Sequence, residues 1–173
     1  MSIVDRKAEG SRVVVIGVGN AVRGDDGAGL AVTAILRRSG MRGVHIVDED
    51  RDGFSIIEHW RDADTVILID AIVSGAPPGT VHRLNLLHDA LPAWTSRHST
   101  HLLSIADAVN LARTLHQLPS DLRLIGIEGS AFDIGRAMTE VVQQAAHSVA
   151  AAIIEELSSR SRAEHQPISA SHP

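Results

Sequence analysis

The chain contains no cysteine and no tyrosine, and it has only two tryptophans and two phenylalanines. Without cysteine it cannot form a disulfide, use a thiolate nucleophile or bind zinc through sulfur. The scarcity of aromatic side chains and a net charge of −5 argue against a nucleic-acid partner. No segment approaches the ~18 apolar residues of a membrane-spanning helix, and residues 1–11 lack the apolar stretch of a signal peptide. We therefore expect a cytoplasmic protein that binds neither membranes nor nucleic acid.

The chain has 173 residues, of which 44% are hydrophobic, so it is long enough for one domain with a substantial core. Short apolar runs rich in β-branched residues alternate with segments whose apolar residues recur at helical spacing. This alternation predicts an α/β fold, with a mainly parallel sheet and helices on both faces. Residues 1–160 form the predicted domain. Residues 161–173 are polar, contain Pro167 and are predicted to be a disordered tail.

The element limits follow from the same patterns. Strands are predicted near 12–17, 44–47, 65–69, 80–84 and 122–127. Helices are predicted near 26–39, 54–60, 99–115 and 139–160. The strand at 80–84 alternates apolar and polar residues, which is typical of a half-buried edge strand.

Two adjacent carboxylates, Asp25 and Asp26, follow the first strand after a glycine-rich turn. The turn is not a dinucleotide-binding fingerprint, because Val22 stands where the third glycine belongs and two carboxylates would repel a phosphate. One of the two aspartates is expected to cap the following helix, since aspartate is a favoured N-cap residue. The other would remain for chemistry at the crevice that open α/β sheets form at their carboxyl edge.

Two further side chains have comparable positions. Asp70 follows the second strongly apolar strand, and His101 lies in the first turn of a helix whose N-cap is Ser99 or Thr100. The electropositive helix N-terminus favours the neutral imidazole, which is the form that binds metals. Taken singly, Asp70 is equally well explained as a turn residue, and His101 better explained as an exposed histidine.

Together, one of the paired aspartates, Asp70 and His101 would suit a divalent metal such as Zn, Ni, Co or Mn. Other catalytic motifs are missing from the sequence. There is no H-E-x-x-H zinc motif, no G-x-S-x-G nucleophile elbow and no G-K-[ST] phosphate-binding loop.

Three stretches resemble motifs of the hydrogenase maturation proteases, the endopeptidases that trim the large subunit of nickel–iron hydrogenases. The first is Gly-Val-Gly-Asn at 17–20 followed by Asp-Asp-Gly-Ala-Gly at 25–29. The second is Asp-Ala-Ile-Val-Ser-Gly at 70–75 with Pro-Gly-Thr at 78–80. The third is Ser-Thr-His at 99–101. The three occur in the family's order, and the resemblance extends from Val13 to the end of the last helix.

The resemblance implies a three-layer αβα sandwich of the phosphorylase/hydrolase-like type with a mainly parallel twisted sheet. It implies that Asp26, Asp70 and His101 are both the catalytic and the metal-binding residues, with Asp25 and Asp48 as further candidates. His98, three residues before His101, is the alternative histidine. The nickel would be supplied by the substrate, a hydrogenase large-subunit precursor, whose C-terminal extension a monomeric enzyme would remove.

The sequence departs from the family pattern in two places. Many members have Asp-Gly-Gly-Thr after the second strand, whereas here only Asp48 of that motif is kept. Many have Gly-x-Gln-Pro after the last strand, whereas here the residues are Gly126, Ile127, Glu128 and Gly129. We expect these changes to bear on which hydrogenase is the substrate.

Two other functions are compatible with the residues alone. The first is a cytosolic metallohydrolase that holds its own zinc or manganese at Asp26, Asp70 and His101. The second is a non-enzymatic binding module on the same scaffold. Metal content after chelation distinguishes the former from the protease, and tolerance of Asp26→Asn and Asp70→Asn would indicate the latter.

Overall fold

The computed structural model describes residues 12–49, 53–89, 92 and 100–164, and within these ranges the side chains of residues 53, 54, 100–104 and 164 are not described. Residues 1–11, most of the predicted loop at 85–98 and the end of the predicted tail, 165–173, lie outside these ranges, as do His98 and Ser99. Within the described ranges, no helix combines the length and the apolar character needed to cross a bilayer.

The structure has five strands and four α-helices within the described ranges. The strands are β1 (Val13–Val18), β2 (Val44–Glu49), β3 (Thr65–Ile72), β4 (Val81–Asn85) and β5 (Asp121–Glu128). The helices are α1 (Ala28–Arg38), α2 (Gly53–Trp60), α3 (Thr100–Thr114) and α4 (Glu140–Glu164). A single 3-10 turn, Gly24–Gly27, precedes α1.

The strands form one sheet in the order β2-β1-β3-β5-β4. All neighbouring pairs are parallel except β4 with β5, which is antiparallel, so β4 is an edge strand as its alternating sequence predicts. The carboxyl ends of the four parallel strands lie at the same edge of the sheet. This arrangement confirms the predicted α/β class with a mainly parallel sheet.

Helices cover both faces of the sheet. On β3, Val66, Leu68 and Ile72 belong to the core that includes residues of α2 and α3. The intervening Ile67 and Ile69 belong to the core that includes residues of α1 and α4. Successive side chains of a strand point to opposite faces, so the uninterrupted apolar run at 65–69 is explained by burial on both sides.

Several element limits differ from the sequence-based prediction, including the following three. Residues 24–27 form a 3-10 turn, so the predicted helix at 26–39 begins as an α-helix only at Ala28. β3 continues three residues past the predicted end at 69 and includes Asp70, which pairs with Gly126 of β5. α4 includes residues 161–164, which the prediction places in the tail. Nothing in that stretch breaks a helix, and the first proline after it is Pro167.

Helix α1 packs unusually close to β1 and β3 because glycines line the contact. A Cβ atom on Gly29 would lie 2.3 Å from the carbonyl oxygen of Ile69 and 2.4 Å from that of Val18. A Cβ atom on Gly17 would lie 2.5 Å from the carbonyl oxygen of Gly29. These glycines therefore serve close helix-to-strand packing at the first motif.

We expect Gly29→Ala to destabilise the fold by about 2 kcal/mol, because α1 must move off the sheet to accommodate the methyl group. Helix propensity alone predicts the opposite sign, since alanine is favoured over glycine by about 1 kcal/mol within a helix. The measurement is the free energy of unfolding from urea titration. Gly40→Ala measures backbone strain without crowding, because Gly40 has φ +69° and no atom within 4 Å of its Cβ position, and it should cost less than Gly29→Ala. A stabilised Gly29→Ala variant would contradict the packing account.

Candidate active site at the carboxyl edge

Every buried carboxylate among the described residues lies at or next to the carboxyl edge of the sheet. Asp25 and Asp26 follow β1, Glu49 ends β2, Asp70 lies near the end of β3, and Glu128 ends β5. Burying an ionisable group is costly unless the surroundings compensate for its lost hydration. Five such groups at one edge indicate that this edge is built for chemistry or for binding.

Asp25 is fully buried and joins two loops. Its Oδ2 accepts hydrogen bonds from the backbone N–H groups of Ser130 at 2.9 Å and Ala131 at 3.0 Å, and from the Ser130 hydroxyl at 3.4 Å. Its Oδ1 accepts from the Thr139 backbone N–H at 2.7 Å and the Thr139 hydroxyl at 2.9 Å. Both carboxylate oxygens are therefore engaged by the loop between β5 and α4.

These contacts keep the Asp25 side chain ionised. Burial raises the pKa of Asp25, but the hydrogen bonds from Ser130, Thr139 and Ala131 outweigh it, and the net result is a pKa below the ordinary value of 3.8. The expectation that one aspartate of the pair caps the next helix is wrong in its detail, because neither the 3-10 turn nor α1 has a side-chain cap. The Asp25 carboxylate instead accepts hydrogen bonds from residues in the stretch 130–139.

Asp26 occupies the next position in the same 3-10 turn, and its side chain is nearly buried. Its backbone N–H donates to the carbonyl of Arg23 at 3.2 Å, and its carbonyl accepts from the N–H of Asn20 at 3.2 Å. Gly19 approaches so closely that a Cβ atom there would lie 1.9 Å from the Asp26 carbonyl oxygen, and its φ is +143°. Only glycine fits this position, so the Gly-x-Gly-Asn stretch serves to hold the Asp26 backbone.

Asp70 is fully buried within β3, on the strand adjacent to β1. Because strand residues alternate, Asp70 shares a face with Leu68 and Ile72, the face that α2 and α3 cover. The 3-10 turn that carries Asp26 packs against β3. The structure thus brings the elements that carry Asp26 and Asp70 together.

The backbone of His101 lies in the first turn of α3, while its side chain is outside the described set. The chain topology shows at which edge of the sheet the first turn of α3 lies. α3 ends at Thr114 and leads to Asp121, which pairs with Thr65 at the start of β3. The C-terminus of α3 therefore lies at the amino edge of the sheet, and its first turn lies toward the carboxyl edge, on the face that Asp70 shares.

Asp48 and Glu49 show how the register of one strand separates neighbouring acids. Asp48 accepts hydrogen bonds from the Thr33 hydroxyl at 2.5 Å and from Arg37 Nη1 at 2.7 Å, both on α1. Glu49 faces the other side of the sheet, is buried, and lies 3.2 Å from His59 Nε2. The sequence motifs point to Asp48 and give no signal for Glu49. Continuing the alternation of β2 by two residues would have placed Glu49 on the same face as Val47.

Glu128 holds the loop that follows β3. Its Oε1 accepts from the backbone N–H groups of Ser74 at 2.8 Å and Gly75 at 2.9 Å, and its Oε2 accepts from the Ser74 hydroxyl at 2.7 Å. His82 of β4 places its Nε2 3.6 Å from Glu128 Oε2 and 3.4 Å from Ser74 Oγ. The second family motif, which starts at Asp70, is thus tied directly to the end of β5.

Glu128 stands where many members of the resembled family have glutamine, and the contacts explain why both residues fit. We expect Glu128→Gln to change the free energy of unfolding by less than about 1 kcal/mol, because one amide oxygen can still accept from Ser74 and Gly75. Glu128→Ala should cost about 2–3 kcal/mol, because two buried N–H groups lose their acceptor. Urea titration of both variants measures the difference. Equal losses in the two would show that the carboxylate charge, and not its acceptor geometry, is what matters.

Among the side chains that the structure describes, no three histidine, aspartate or glutamate groups converge in a way that would hold a metal ion. This result does not test the predicted set of Asp26, Asp70 and His101, because the side chain of His101 is outside the described residues. Its two carboxylates offer the oxygen ligands, and its histidine the imidazole ligand, that nickel and similar divalent ions accept.

Fold and site together define a three-layer α/β protein whose buried acids gather where the parallel strands end. Comparison with known proteins then identifies the family. The family model HycI, which describes the hydrogenase maturation proteases, matches residues 31–156, more than half of the chain. The chain therefore belongs to the hydrogenase maturation protease family, and the resemblance inferred from the sequence motifs is confirmed.

Individual relatives agree with this assignment. The hydrogenase 2 maturation protease of Escherichia coli K12 is 30% identical over 136 residues, which span 76% of this chain and 82% of that protein. The hydrogenase expression/formation protein HupD of Thiocapsa roseopersicina is 29% identical over 125 residues, 70% of this chain. The match covers only 56% of that relative, and less than two thirds of several others.

Solved structures share the fold. The hydrogenase-maturating endopeptidase HybD from E. coli has a TM-score of 0.75 at 25% identity, covering 86% of this chain and 93% of that one. The [NiFe] hydrogenase maturation protease HycI from Thermococcus kodakarensis KOD1 has a TM-score of 0.70 at 27% identity, with the same coverage. These similarities to solved structures confirm the predicted fold class independently of the strand order seen in this chain.

Proposed function

We propose that the protein is an endopeptidase that removes the C-terminal extension from the nickel-loaded large-subunit precursor of a nickel–iron hydrogenase. The observation that carries this proposal is membership of the maturation protease family, together with similarity to HybD over 86% of the chain. The cluster of buried carboxylates at the carboxyl edge supports it, since hydrolysis of a peptide bond needs groups that orient water and accept a proton. The family match does not favour a metallohydrolase with its own resident metal.

We assign the site to Asp26, Asp70 and His101. Asp26 and Asp70 lie on elements that pack together, and the first turn of α3 lies at the same edge. Asp25 is not included, because five hydrogen bonds from the loop before α4 occupy both of its oxygens. Asp48 is not included either, because it contacts α1 on the opposite face of the sheet.

The nickel belongs to the substrate, and its recognition would bring the precursor's C-terminal segment to this edge. Ionised carboxylates and a neutral imidazole are suitable ligands for such an ion. In the cleavage step, water adds to the scissile carbonyl carbon while a carboxylate accepts the proton of the water. The carbon–nitrogen bond then breaks, the amine of the released peptide takes up a proton, and the mature subunit keeps the new carboxylate.

Three further proposals concern the domain limits, the compartment and the oligomeric state. We propose that residues 1–160 form the catalytic domain and that the last part of the chain is dispensable for cleavage. We propose that the enzyme works in the cytoplasm, in line with its lack of cysteine. We also propose that it acts as a monomer, which sedimentation of the purified chain would measure.

The experiment that tests the function is intact-mass analysis of a hydrogenase large-subunit precursor from the same source, mixed with the purified chain. The nickel-loaded precursor should lose a C-terminal peptide, and the nickel-free precursor should stay intact. If the loaded precursor is also unchanged, the protease assignment fails. Stoichiometric metal that stays in the purified chain after chelation would then support the metallohydrolase alternative.

A further inference from the structure

Two loops at the carboxyl edge present apolar side chains to solvent. Val22 is 59% exposed and Ile134 is 81% exposed, the largest values among the large apolar residues that the structure describes. They occupy neighbouring positions, because the backbone N–H of Gly135 donates to the carbonyl of Val22 at 2.7 Å. A pair of apolar residues held together at the surface is more informative than single exposed ones, which are common.

Two arginines accompany these apolar residues. Arg23 follows Val22, and its Nε donates to the carbonyl of Phe132 at 3.4 Å. Arg136 follows Ile134 by two residues. Its Nη1 lies 3.4 Å from Oδ2 of Asp133, and both side chains are well exposed. Among the exposed side chains of the two loops, these two arginines accompany one aspartate, Asp133, while the Asp25 carboxylate is buried beneath them. We call Val22, Arg23, Ile134 and Arg136 the rim platform.

The rim platform is held in place by buried groups. The Gly24 N–H donates to the carbonyl of Arg136, and the Asp25 N–H donates to the carbonyl of Ala131. The Asp25 carboxylate adds its bonds to Ser130, Ala131 and Thr139 from below. Exposed loop residues are ordinarily free to move, so this anchoring orders a surface before any partner arrives. Such ordering raises affinity because less conformational entropy is lost on binding.

The rim platform is continuous with the proposed site. The carbonyl of Arg23 accepts the hydrogen bond from the backbone N–H of Asp26, so both belong to one turn. A partner seated on Val22 and Ile134 would lie next to the edge where Asp26 and Asp70 are buried. Of the other exposed large apolar residues that the structure describes, Leu111 and Leu115 lie in or just after the last turn of α3, toward the amino edge, and Val141 lies in the first turn of α4 beside Gly79.

We propose that the rim platform is the docking surface for the precursor, and that it takes a precursor segment with an apolar side chain next to a carboxylate. This inference rests on the proposed function, since it names how that substrate is recognised. Val22 and Ile134 supply the apolar contact, and Arg23 and Arg136 supply the complementary charge for the carboxylate. The anchored loops let the partner bind a preformed surface beside the reacting edge.

The test compares Ile134→Asp with Leu115→Asp, a matched change at an exposed leucine toward the amino edge of the sheet. Titration calorimetry with the nickel-loaded precursor, run with all chains in the Asp70→Asn background to prevent cleavage, should show at least about a tenfold weaker Kd for Ile134→Asp and no change for Leu115→Asp. Cleavage by Ile134→Asp should show a raised KM, with kcat within about twofold of the wild type. Val22→Asp should behave like Ile134→Asp. Thermal unfolding should stay unchanged in all three, because each side chain is exposed.

Several outcomes would overturn the docking surface. Wild-type binding and KM in Ile134→Asp and Val22→Asp would do so directly. So would sedimentation showing that the wild-type chain self-associates and that Ile134→Asp only abolishes this, because the occupant would then be a second copy. Failure of the proposed function is a separate result: the wild type would bind the precursor without cleaving it, and the binding comparison would still decide the surface.

Discussion

Asp70→Asn should abolish cleavage of the nickel-loaded precursor while leaving the fold intact. The substitution keeps the shape of a fully buried side chain in β3 but replaces its carboxyl group with an amide. A neutral amide is a much weaker ligand for a divalent ion than a carboxylate, and it cannot accept a proton from water. We expect the rate to fall by at least about a hundredfold, since even indirect partners of a metal contribute factors of 10–100. Intact-mass kinetics measure the rate.

Asp64→Asn is the matched control for that variant. Asp64 directly precedes β3, so it lies at the amino edge of the sheet, where its carboxylate accepts a hydrogen bond from the backbone of Arg12 at 2.9 Å. Its cleavage rate should equal that of the wild type. Circular dichroism should show the same helix and strand content in both variants. Cleavage by Asp70→Asn at the wild-type rate would remove Asp70 from the site, even if the chain proves to be a protease.

The strands and the sheet class could be predicted because the relevant information is local. Four consecutive β-branched residues from Val13 and the run at 65–69 are buried on both faces, and such runs have few alternative explanations. The exact ends were less predictable, because they depend on pairing. Asp70 is polar and was expected to end its strand, yet it remains in β3 since its partner Gly126 on β5 continues the ladder.

The resemblance to the family favours Asp26 over Asp25 as the site residue, but the residues alone do not give the physical reason, because the contacts of Asp25 are remote in the chain. Asp25 is bonded to Ser130, Ala131 and Thr139, more than a hundred residues away in the chain. Without that resemblance, the residue types in this stretch do not distinguish the first aspartate from the second. The same limitation applies to Glu128, whose partners Ser74 and Gly75 follow a different strand. Motif similarity proposes the site residues, and tertiary contacts show that Asp25 and Glu128 hold loops in place at the carboxyl edge.

Asp25→Asn should be strongly destabilising, costing about 4 kcal/mol of the free energy of unfolding at pH 7. Asparagine has one acceptor oxygen, so its NH2 group must face either the N–H groups of Ser130 and Ala131 or that of Thr139. Backbone N–H groups cannot act as acceptors, so one set of donors would be left buried without a partner. Urea titration measures the loss. Asp133→Asn, a change at a well-exposed acid in the same loop, should leave stability unchanged.

The difference in the free energy of unfolding between wild type and Asp25→Asn should depend on pH, and this dependence separates the effect of the Asp25 charge from that of its shape. Its pKa lies below the ordinary value of 3.8 in the folded protein, despite burial, because of the hydrogen bonds from Ser130, Thr139 and Ala131. The unfolded state, with a pKa near ~3.9, therefore takes up a proton first as the pH falls. The stabilisation is fully present above that value and is lost as the pH falls through the folded pKa. The gap between wild type and Asp25→Asn should thus be constant from pH 7 to about pH 5 and should narrow below about pH 4. A gap that is the same at pH 3 as at pH 7 would mean that ionised Asp25 does not hold the two loops together.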